Sequence, residues 1–233
     1  MINQNWKKDL LNKIHNVNCM EIINQLPDNS IKGIITDFPY GIDFQSNMRV
    51  KTEKFKKIAN DKKPYVEWIM PSFEIIQDGG FIITAYRWDV QEALIDEFER
   101  SGFSVKSQVI WYKNGGGMGD LDGSFQAVHE CFLFATKGKY KFPNGRPSTF
   151  YQCNSVPNLK MVHPNEKPVE LMRALVRDLT THEDIIFEPF SGSGSTSLAC
   201  KIERREFIAC DLDSEHVETG IKRLKDCSLS SLF

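Results

Sequence analysis

The sequence lacks the signals of a membrane, secreted or metal-binding protein. No apolar run approaches the ~20 residues that a membrane-spanning helix needs, and the first nine residues contain no apolar core of a signal peptide. The six cysteines are scattered without a C-x-x-C pair, which favours free thiols in a reducing cytoplasm over disulfides or a zinc site. The five histidines show no metal-ligand spacing either. We therefore expect a cytoplasmic protein with no membrane partner and no bound metal.

A strong net charge is also missing. The formal net charge is −2, which argues against a protein that coats nucleic acid without specificity. Two segments are nevertheless locally basic, since residues 47–63 carry seven basic and two acidic side chains, and residues 104–167 carry eight and four. This distribution is compatible with nucleic acid on one face of the protein, and equally with solvated lysine-rich loops.

Strand and helix patterns alternate along most of the chain. They predict seven strands, near residues 13–17, 31–36, 81–85, 105–111, 131–136, 185–189 and 207–210. Helices are expected between them, including one over Tyr65–Gln77 and a final helix capped by Ser214. The alternation predicts an α/β fold, a seven-stranded, parallel-rich sheet with helices on both faces. At 233 residues the chain has the length of one such domain.

The first notable motif follows the strand at residues 31–36, which ends in Asp37-Phe38-Pro39-Tyr40-Gly41. Pro39 and Gly41 stop the strand, so the acid and both aromatic rings lie at its carboxyl end. Ligands bind at that edge in open α/β sheets. An ordinary exit from a strand into a turn has the same local pattern. Residues 43–63 have no clean periodicity and predict a long loop.

The second motif is a glycine turn between a strand and a helix, over Phe187–Thr196. Glycine lets the backbone turn sharply beside a ligand, and unpaired N–H groups at the start of the helix suit an anionic group. Asp211 lies 19 residues beyond Gly192, the spacing of an acid that binds ribose hydroxyls. Because Ser197 replaces a third glycine and no P-loop is present, a nucleoside without pyrophosphate fits best. A tight turn without a ligand is the alternative.

Together the motifs resemble those of the amino-group DNA methyltransferases that use S-adenosylmethionine. Asp37-Phe38-Pro39-Tyr40 looks like their D-P-P-Y motif, residues 190–194 look like their F-x-G-x-G motif, and residues 163–168 look like their H-P-x-x-K-P element. The catalytic motif precedes the cofactor motif, as in the circularly permuted β group. The resemblance spans about residues 17–224, and it implies a Rossmann-like methyltransferase sheet in a permuted order.

The resemblance implies a catalytic role for four residues. Asp37 and the carbonyl of Phe38 would accept the two N–H bonds of an exocyclic amino group on the target base. This would draw the nitrogen toward tetrahedral geometry and free its lone pair to attack the methyl group. Pro39 would fix the turn, and Tyr40 would stack on a base that is flipped out of double-stranded DNA.

The resemblance also implies how the cofactor is bound. The glycine turn would wrap the methionine part, Asp211 would hold the ribose, Lys167 and Asn165 would lie near the amino-acid end, and Asn18 near the adenine. The implied cofactor-binding residues are Asn18, Asn165, Lys167, Glu188, Phe190, Ser191, Gly192, Ser193, Gly194, Ser195, Thr196 and Asp211.

The function implied is site-specific methyl transfer to N6 of adenine, because an Asp at the head of the motif is the usual adenine form. The alternatives are a cytosine-N4 methyltransferase, an enzyme acting on RNA or a small molecule, and a disabled relative that only binds. Phe38 replaces a proline of the family's pattern, Asn18 an aspartate and Asn165 a threonine.

The resemblance places a small target-recognition insertion at about residues 112–162 of a single catalytic domain that spans residues 1–233. It leaves open two further partners, a second copy of the chain in a homodimer and a companion restriction endonuclease.

Overall fold

Apolar strands build one mixed sheet at the centre of the protein. The computed structural model describes residues 5–39, 65–116, 123, 125–157 and 166–227. Within them, the eight strands are β1 (Lys13–His15), β2 (Ile31–Asp37), β3 (Ile76–Tyr86), β4 (Ser104–Tyr112), β5 (His129–Lys137), β6 (Phe150–Gln152), β7 (Ile185–Glu188) and β8 (Glu206–Cys210). Their spatial order is β1-β8-β7-β2-β3-β5-β4-β6. All neighbours run parallel except β5, which is antiparallel to β3 and β4.

Helices cover both faces of this sheet. On one face lie α1 (Trp6–Leu10), α2 (Cys19–Ile23), α3 (Ile69–Ile75) and α4 (Gln91–Arg100); on the other lie α5 (Val169–Leu179), α6 (Ser195–Ile202) and α7 (Ser214–Asp226). Successive strand side chains point to opposite faces. Ile34 and Ile82 therefore join the first core, while Ile35 and Ile83 join the second. Because both faces are covered, the middle parts of the central strands are largely apolar.

The predicted α/β class and the seven predicted strands are confirmed, and β6 is an eighth strand. Periodicity missed β6 because none of its three residues is buried, whereas the equally short edge strand β1 contains the buried Ile14. Both β5 and β6 lie inside the range 112–162 that was predicted as an insertion, so part of that range belongs to the sheet itself. Its role in target recognition stays a prediction.

Two local predictions were wrong. The helix expected over Tyr65–Gln77 spans only Ile69–Ile75, because the next strand already begins at Ile76, which pairs with β2. The N-cap of α7 is Asp213 and not Ser214, since the Asp213 carboxylate accepts the N–H groups of the first turn at 2.8 and 3.4 Å.

None of the helices in the described ranges is long and apolar enough to span a bilayer. The loop predicted at residues 43–63 lies outside the described residues.

Candidate active site

The two predicted motifs meet at one edge of the sheet. Asp37 ends β2, while Phe190 and Asp211 follow β7 and β8, and β7 lies between the other two strands. In the parallel pairing of β2 with β7, Ile34 lies opposite Phe187, and continuing that register brings Asp37 level with Phe190. The carboxyl ends of parallel strands form the usual ligand edge of such a sheet. Asp37 and the glycine turn therefore lie at the same edge of the sheet, on neighbouring strands.

The carboxylate of Asp37 forms an ion pair with Lys167. The Lys167 ammonium also lies 3.1 Å from the carboxylate of Glu130, and its side chain is only 8% exposed. Burial lowers the pKa of Lys167, but the two carboxylates outweigh burial and hold that pKa above its ordinary value. Lys167, predicted to lie near the amino-acid end of a cofactor, thus contacts Asp37 directly. Glu130 was not predicted at all.

The side chain of Phe38 points into the core. Its ring is 2% exposed and packs against Trp68 with 6.3 Å between centroids. The buried Trp68 also contacts the ring of Phe190 edge-on at 5.4 Å, a favourable geometry for aromatic pairs. The residue that departs from the family's proline is therefore accommodated by packing. Trp68, which joins both motifs, carries no recognisable motif of its own and was missed.

Pro39 ties the turn after β2 to the segment before α3. Its carbonyl accepts the N–H of Tyr65 at 3.2 Å, and the carbonyl of Tyr65 in turn accepts the indole N–H of Trp68 at 2.9 Å. This connection holds the turn without help from a second proline. Tyr40 and Asn165 lie outside the described residues, so their predicted roles stay predictions.

The glycine turn requires glycine at two positions. Both adopt left-handed backbone conformations, with φ of 48° at Gly192 and 75° at Gly194, which side chains disfavour. Gly194 is also a point of close approach, because a Cβ there would lie 3.0 Å from Ile14 and 3.3 Å from Gly220 of α7. The turn therefore packs directly on α7.

Glu188 anchors the helix that follows the turn. Its buried carboxylate accepts the N–H groups of Thr196 and Ser197 at 3.2 and 3.0 Å, and the hydroxyl of Ser197 at 2.5 Å. Burial raises the pKa of Glu188 to about 7, against the effect of these hydrogen bonds. The N–H groups at the start of this helix were predicted to be unpaired. That prediction was wrong for Thr196 and Ser197, whose N–H groups donate to Glu188. A cofactor contact of Glu188 stays a prediction.

Glu188 should make stability depend on pH. Its pKa of about 7 lies above the ordinary 4.5, so its contribution is full below pH 4.5 and is lost as pH rises through 7. The wild type should lose stability relative to Glu188→Gln between pH 5 and 7, by at most roughly 1.4 kcal/mol per pH unit. Urea denaturation of both proteins at each pH measures this, and histidine titration cancels in the difference. A difference that stays constant from pH 5 to 8 would contradict the assignment.

Asp211 is fixed beside the glycine turn. One carboxylate oxygen accepts the N–H of Gly192 at 2.8 Å, and the other accepts the N–H of Asp213 at 2.9 Å and lies 3.6 Å from His216. Burial raises the pKa of Asp211, but His216 and the two N–H groups outweigh burial and bring the pKa below its ordinary value. The predicted ribose acceptor is therefore an ionised side chain with a defined orientation.

Arg223 of α7 links the turn to the segment before α5. Its guanidinium donates to the carbonyl and the hydroxyl of Ser193 at 2.9 and 2.8 Å, reaches the Ser195 hydroxyl at 3.4 Å, and pairs with Glu166 at 2.9 Å. Glu166 directly precedes Lys167. Sequence reasoning missed Arg223, because one arginine on an amphipathic helix carries no distinguishing signal.

Asn18 has a clear structural role as the N-cap of α2. Its side-chain oxygen accepts the N–H of Met20 at 2.9 Å, and the Glu21 carboxylate accepts the N–H of Asn18 at 3.2 Å. This is a capping box, which asparagine and aspartate form equally well. The replacement of the family's aspartate therefore preserves the local structure, and the predicted contact with an adenine stays a prediction.

The turn has the character of a ligand site. The hydroxyl oxygen of Ser191 is buried, yet it has no hydrogen-bond partner among the residues that the structure describes. A buried polar atom without a partner is costly. A polar ligand seated at the turn would satisfy it, in agreement with the nucleoside cofactor that the sequence predicts.

Comparison with known proteins agrees with this geometry. A family model for N6 and N4 methyltransferases, described as DNA methylase, matches residues 31–222. The putative methylase YubD of Escherichia coli (strain K12) is 26% identical, and the alignment covers 88% of this chain and 87% of YubD. The type II methyltransferase M.BglII of Bacillus subtilis is 24% identical, and the alignment covers 96% of this chain and 71% of M.BglII. The solved M1.HpyAVI–SAM complex is 26% identical with a TM-score of 0.72, covering 91% and 98%.

A second solved structure, the cytosine-N4-specific PvuII DNA methyltransferase, is 16% identical with a TM-score of 0.68, covering 94% of this chain and 91% of that one, which shows the fold alone. The family match contains both the motif at Asp37 and the glycine turn, so the resemblance to the amino-group DNA methyltransferases is confirmed, while the assignment to the permuted D-P-P-Y group stays a prediction. The chain belongs to the N6/N4 DNA methylase family.

Proposed function

We propose that the protein transfers a methyl group from S-adenosylmethionine to the exocyclic N6 of adenine at specific sites in double-stranded DNA. The observation that carries this proposal is the placement of Asp37, a carboxylate held by Lys167, level with the glycine turn across one pair of parallel strands. The M1.HpyAVI structure, which contains S-adenosylmethionine, supports the choice of cofactor.

Several side chains of the edge fit this cofactor. The Ser191 hydroxyl would gain the hydrogen-bond partner that it lacks among the described residues, and the Asp211 carboxylate has lone pairs left for two ribose hydroxyls. The left-handed conformations of Gly192 and Gly194 let the backbone turn at this edge. The bound cofactor supplies an electrophilic methyl group on a sulfonium.

Asp37 would activate the amino group of the target base. The amino nitrogen of adenine is a poor nucleophile because its lone pair is delocalised into the ring. The carboxylate of Asp37 and the carbonyl of Phe38 would each accept one N–H, which localises the lone pair on nitrogen. As the nitrogen becomes positively charged, the carboxylate stabilises that charge and can take up the proton that is released. Positioning and electrostatics account for such catalysis.

The same edge presents groups suited to DNA. In the pairing of β2 with β3, Asp37 lies opposite Ala85, so Trp88 follows three residues beyond that level. Its side chain is 83% exposed, and an exposed aromatic ring can stack on nucleobases. Arg87 lies next to it with a partly exposed guanidinium that pairs with Asp89. The proposal includes these contacts with DNA and a flipped target base that stacks on Tyr40. It also includes two partners, a second copy of the chain in a homodimer and a companion restriction endonuclease.

The alternatives have less support. A disabled relative would follow if Phe38 distorted the motif, but its ring packs in the core and the turn is held through Pro39. A cytosine-N4 enzyme has no observation of its own in favour, because the PvuII likeness concerns the fold. The aspartate at the head of the motif favours adenine.

Expression in a host without adenine methylation, followed by single-molecule sequencing of its DNA, tests the proposal. We expect N6-methyladenine at one recurring sequence, and none from a matched strain that expresses Asp37→Asn. N4-methylcytosine would establish the cytosine alternative. Unmodified DNA, together with cofactor binding by the purified protein, would establish the disabled relative.

A further inference from the structure

Four side chains of alternating charge form a continuous chain that ends at the catalytic acid. Lys113 Nζ lies 2.5 Å from one oxygen of Glu130, Lys167 Nζ lies 3.1 Å from the other, and Lys167 also pairs with Asp37. The four residues come from different parts of the fold: Lys113 follows β4, Glu130 belongs to β5, Lys167 precedes α5, and Asp37 ends β2. We call them the charge chain.

Glu130 holds the central position of the charge chain. Burial raises the pKa of Glu130, but Lys167 and Lys113 outweigh burial and lower the pKa to about 2. Glu130 is therefore an anion at every pH at which the enzyme would work. A buried ammonium such as that of Lys167 depends on its carboxylate partners, since an uncompensated buried charge is strongly unfavourable.

Lys113 connects the charge chain with the segment between β4 and β5. Its backbone N–H donates to the carbonyl of Val128 at 2.9 Å, which closes the base of this segment, and its ammonium lies 5.2 Å from the centre of the Trp111 ring. At one end of the segment Lys113 therefore contacts Glu130, and at the other end Val128 contacts Lys113. The range predicted to recognise the target sequence is in this way joined to the catalytic acid.

An ammonium that is bound only to Asp37 would compete with the target amino group for the same carboxylate. Glu130 shares that ammonium, and it remains as a partner for Lys167 when Asp37 turns to the base. We infer that Glu130 is a positioning residue, which shares the ammonium of Lys167 and so leaves the carboxylate of Asp37 able to accept a hydrogen bond from the target base. This inference rests on the proposed methyl transfer, and it assigns Glu130 a part in that reaction.

The direct test is Glu130→Gln in the full-length protein. We expect kcat for methyl transfer to fall about tenfold, because Lys167 then belongs to Asp37 alone. The KM for DNA and the Kd for S-adenosylmethionine should stay within about twofold, since no base or cofactor contact is removed. Glu130→Asp, which keeps the charge, should retain more activity than Glu130→Gln, and it serves as the second variant if the first fails to fold.

The split between kcat and the binding constants separates positioning from simple loss of structure, because a disordered site would also weaken the binding of DNA and S-adenosylmethionine. Rescue by Glu130→Asp is the second readout. Glutamine matches the shape of glutamate more closely than aspartate does, so higher activity in Glu130→Asp would show that the charge of the side chain matters and not its packing.

The matched control is Glu203→Gln, which breaks the 2.6 Å ion pair of Glu203 with Arg173 away from the site; its kcat and its KM for DNA should equal those of the wild type. An active wild type with an unaffected Glu130→Gln variant would overturn the inference alone. So would a Glu130→Asp variant that is no more active than Glu130→Gln. An inactive wild type would overturn the proposed function, and the inference with it.

Discussion

Asp37→Asn is expected to reduce methyl transfer by roughly 10³-fold, comparable to the removal of a group that stabilises developing charge in other enzymes. Asparagine keeps the size of the side chain, but its NH2 group cannot accept an N–H bond, and its neutral amide cannot stabilise a positive nitrogen. Asp37→Ala should be equally inactive. The fold should persist, because Glu130 remains as a partner for the buried Lys167.

The measurement is incorporation of labelled methyl groups into double-stranded DNA at saturating S-adenosylmethionine. Cofactor binding by titration calorimetry should be unchanged in both variants, which separates lost chemistry from lost structure. Asp96→Asn, which changes an exposed acid on α4, is the matched control and should be fully active. Retained activity in Asp37→Ala would rule out the mechanism.

Asp211→Ala should raise the Kd for S-adenosylmethionine by roughly 100-fold, since two hydrogen bonds to a charged group contribute about 3 kcal/mol. The loss has two sources. The ribose hydroxyls lose their acceptor, and the N–H of Gly192 loses the carboxylate that fixes the glycine turn. Binding of DNA should change little, because Asp211 belongs to the cofactor side of the site.

The neighbouring Asp213 provides the control for this prediction. Asp213→Ala removes the N-cap of α7 and should cost about 1 kcal/mol of stability, yet it should leave the Kd for S-adenosylmethionine unchanged. Calorimetric titration of both variants, with urea denaturation alongside, distinguishes the two roles. A wild-type Kd in Asp211→Ala would exclude the ribose assignment.

Local patterns in the sequence determined the fold class and the main elements of the site. Strand and helix periodicity are properties of neighbouring residues, so the alternation predicted the α/β sheet without any knowledge of long-range contacts. Asp37 and Asp211 marked the ends of β2 and β8, and Gly192 and Gly194 marked the turn. These features were predictable because a strand end and a tight turn each depend on residue types within a few positions. β6 was not predicted because it contains no buried residue, so the sequence shows no alternation of apolar and polar positions there.

The partners of these residues were decided only by the tertiary structure. Asp37 and Lys167 lie 130 positions apart, and their ion pair exists because the start of α5 packs beside the end of β2. Glu130, Trp68 and Arg223 likewise acquire their roles from elements distant in the chain. Contacts between distant segments depend on strand order and register, which are set by the packing of the whole core. The sequence by itself therefore determined which chemistry stands at the sheet edge, and the packing decided which side chains hold it in place.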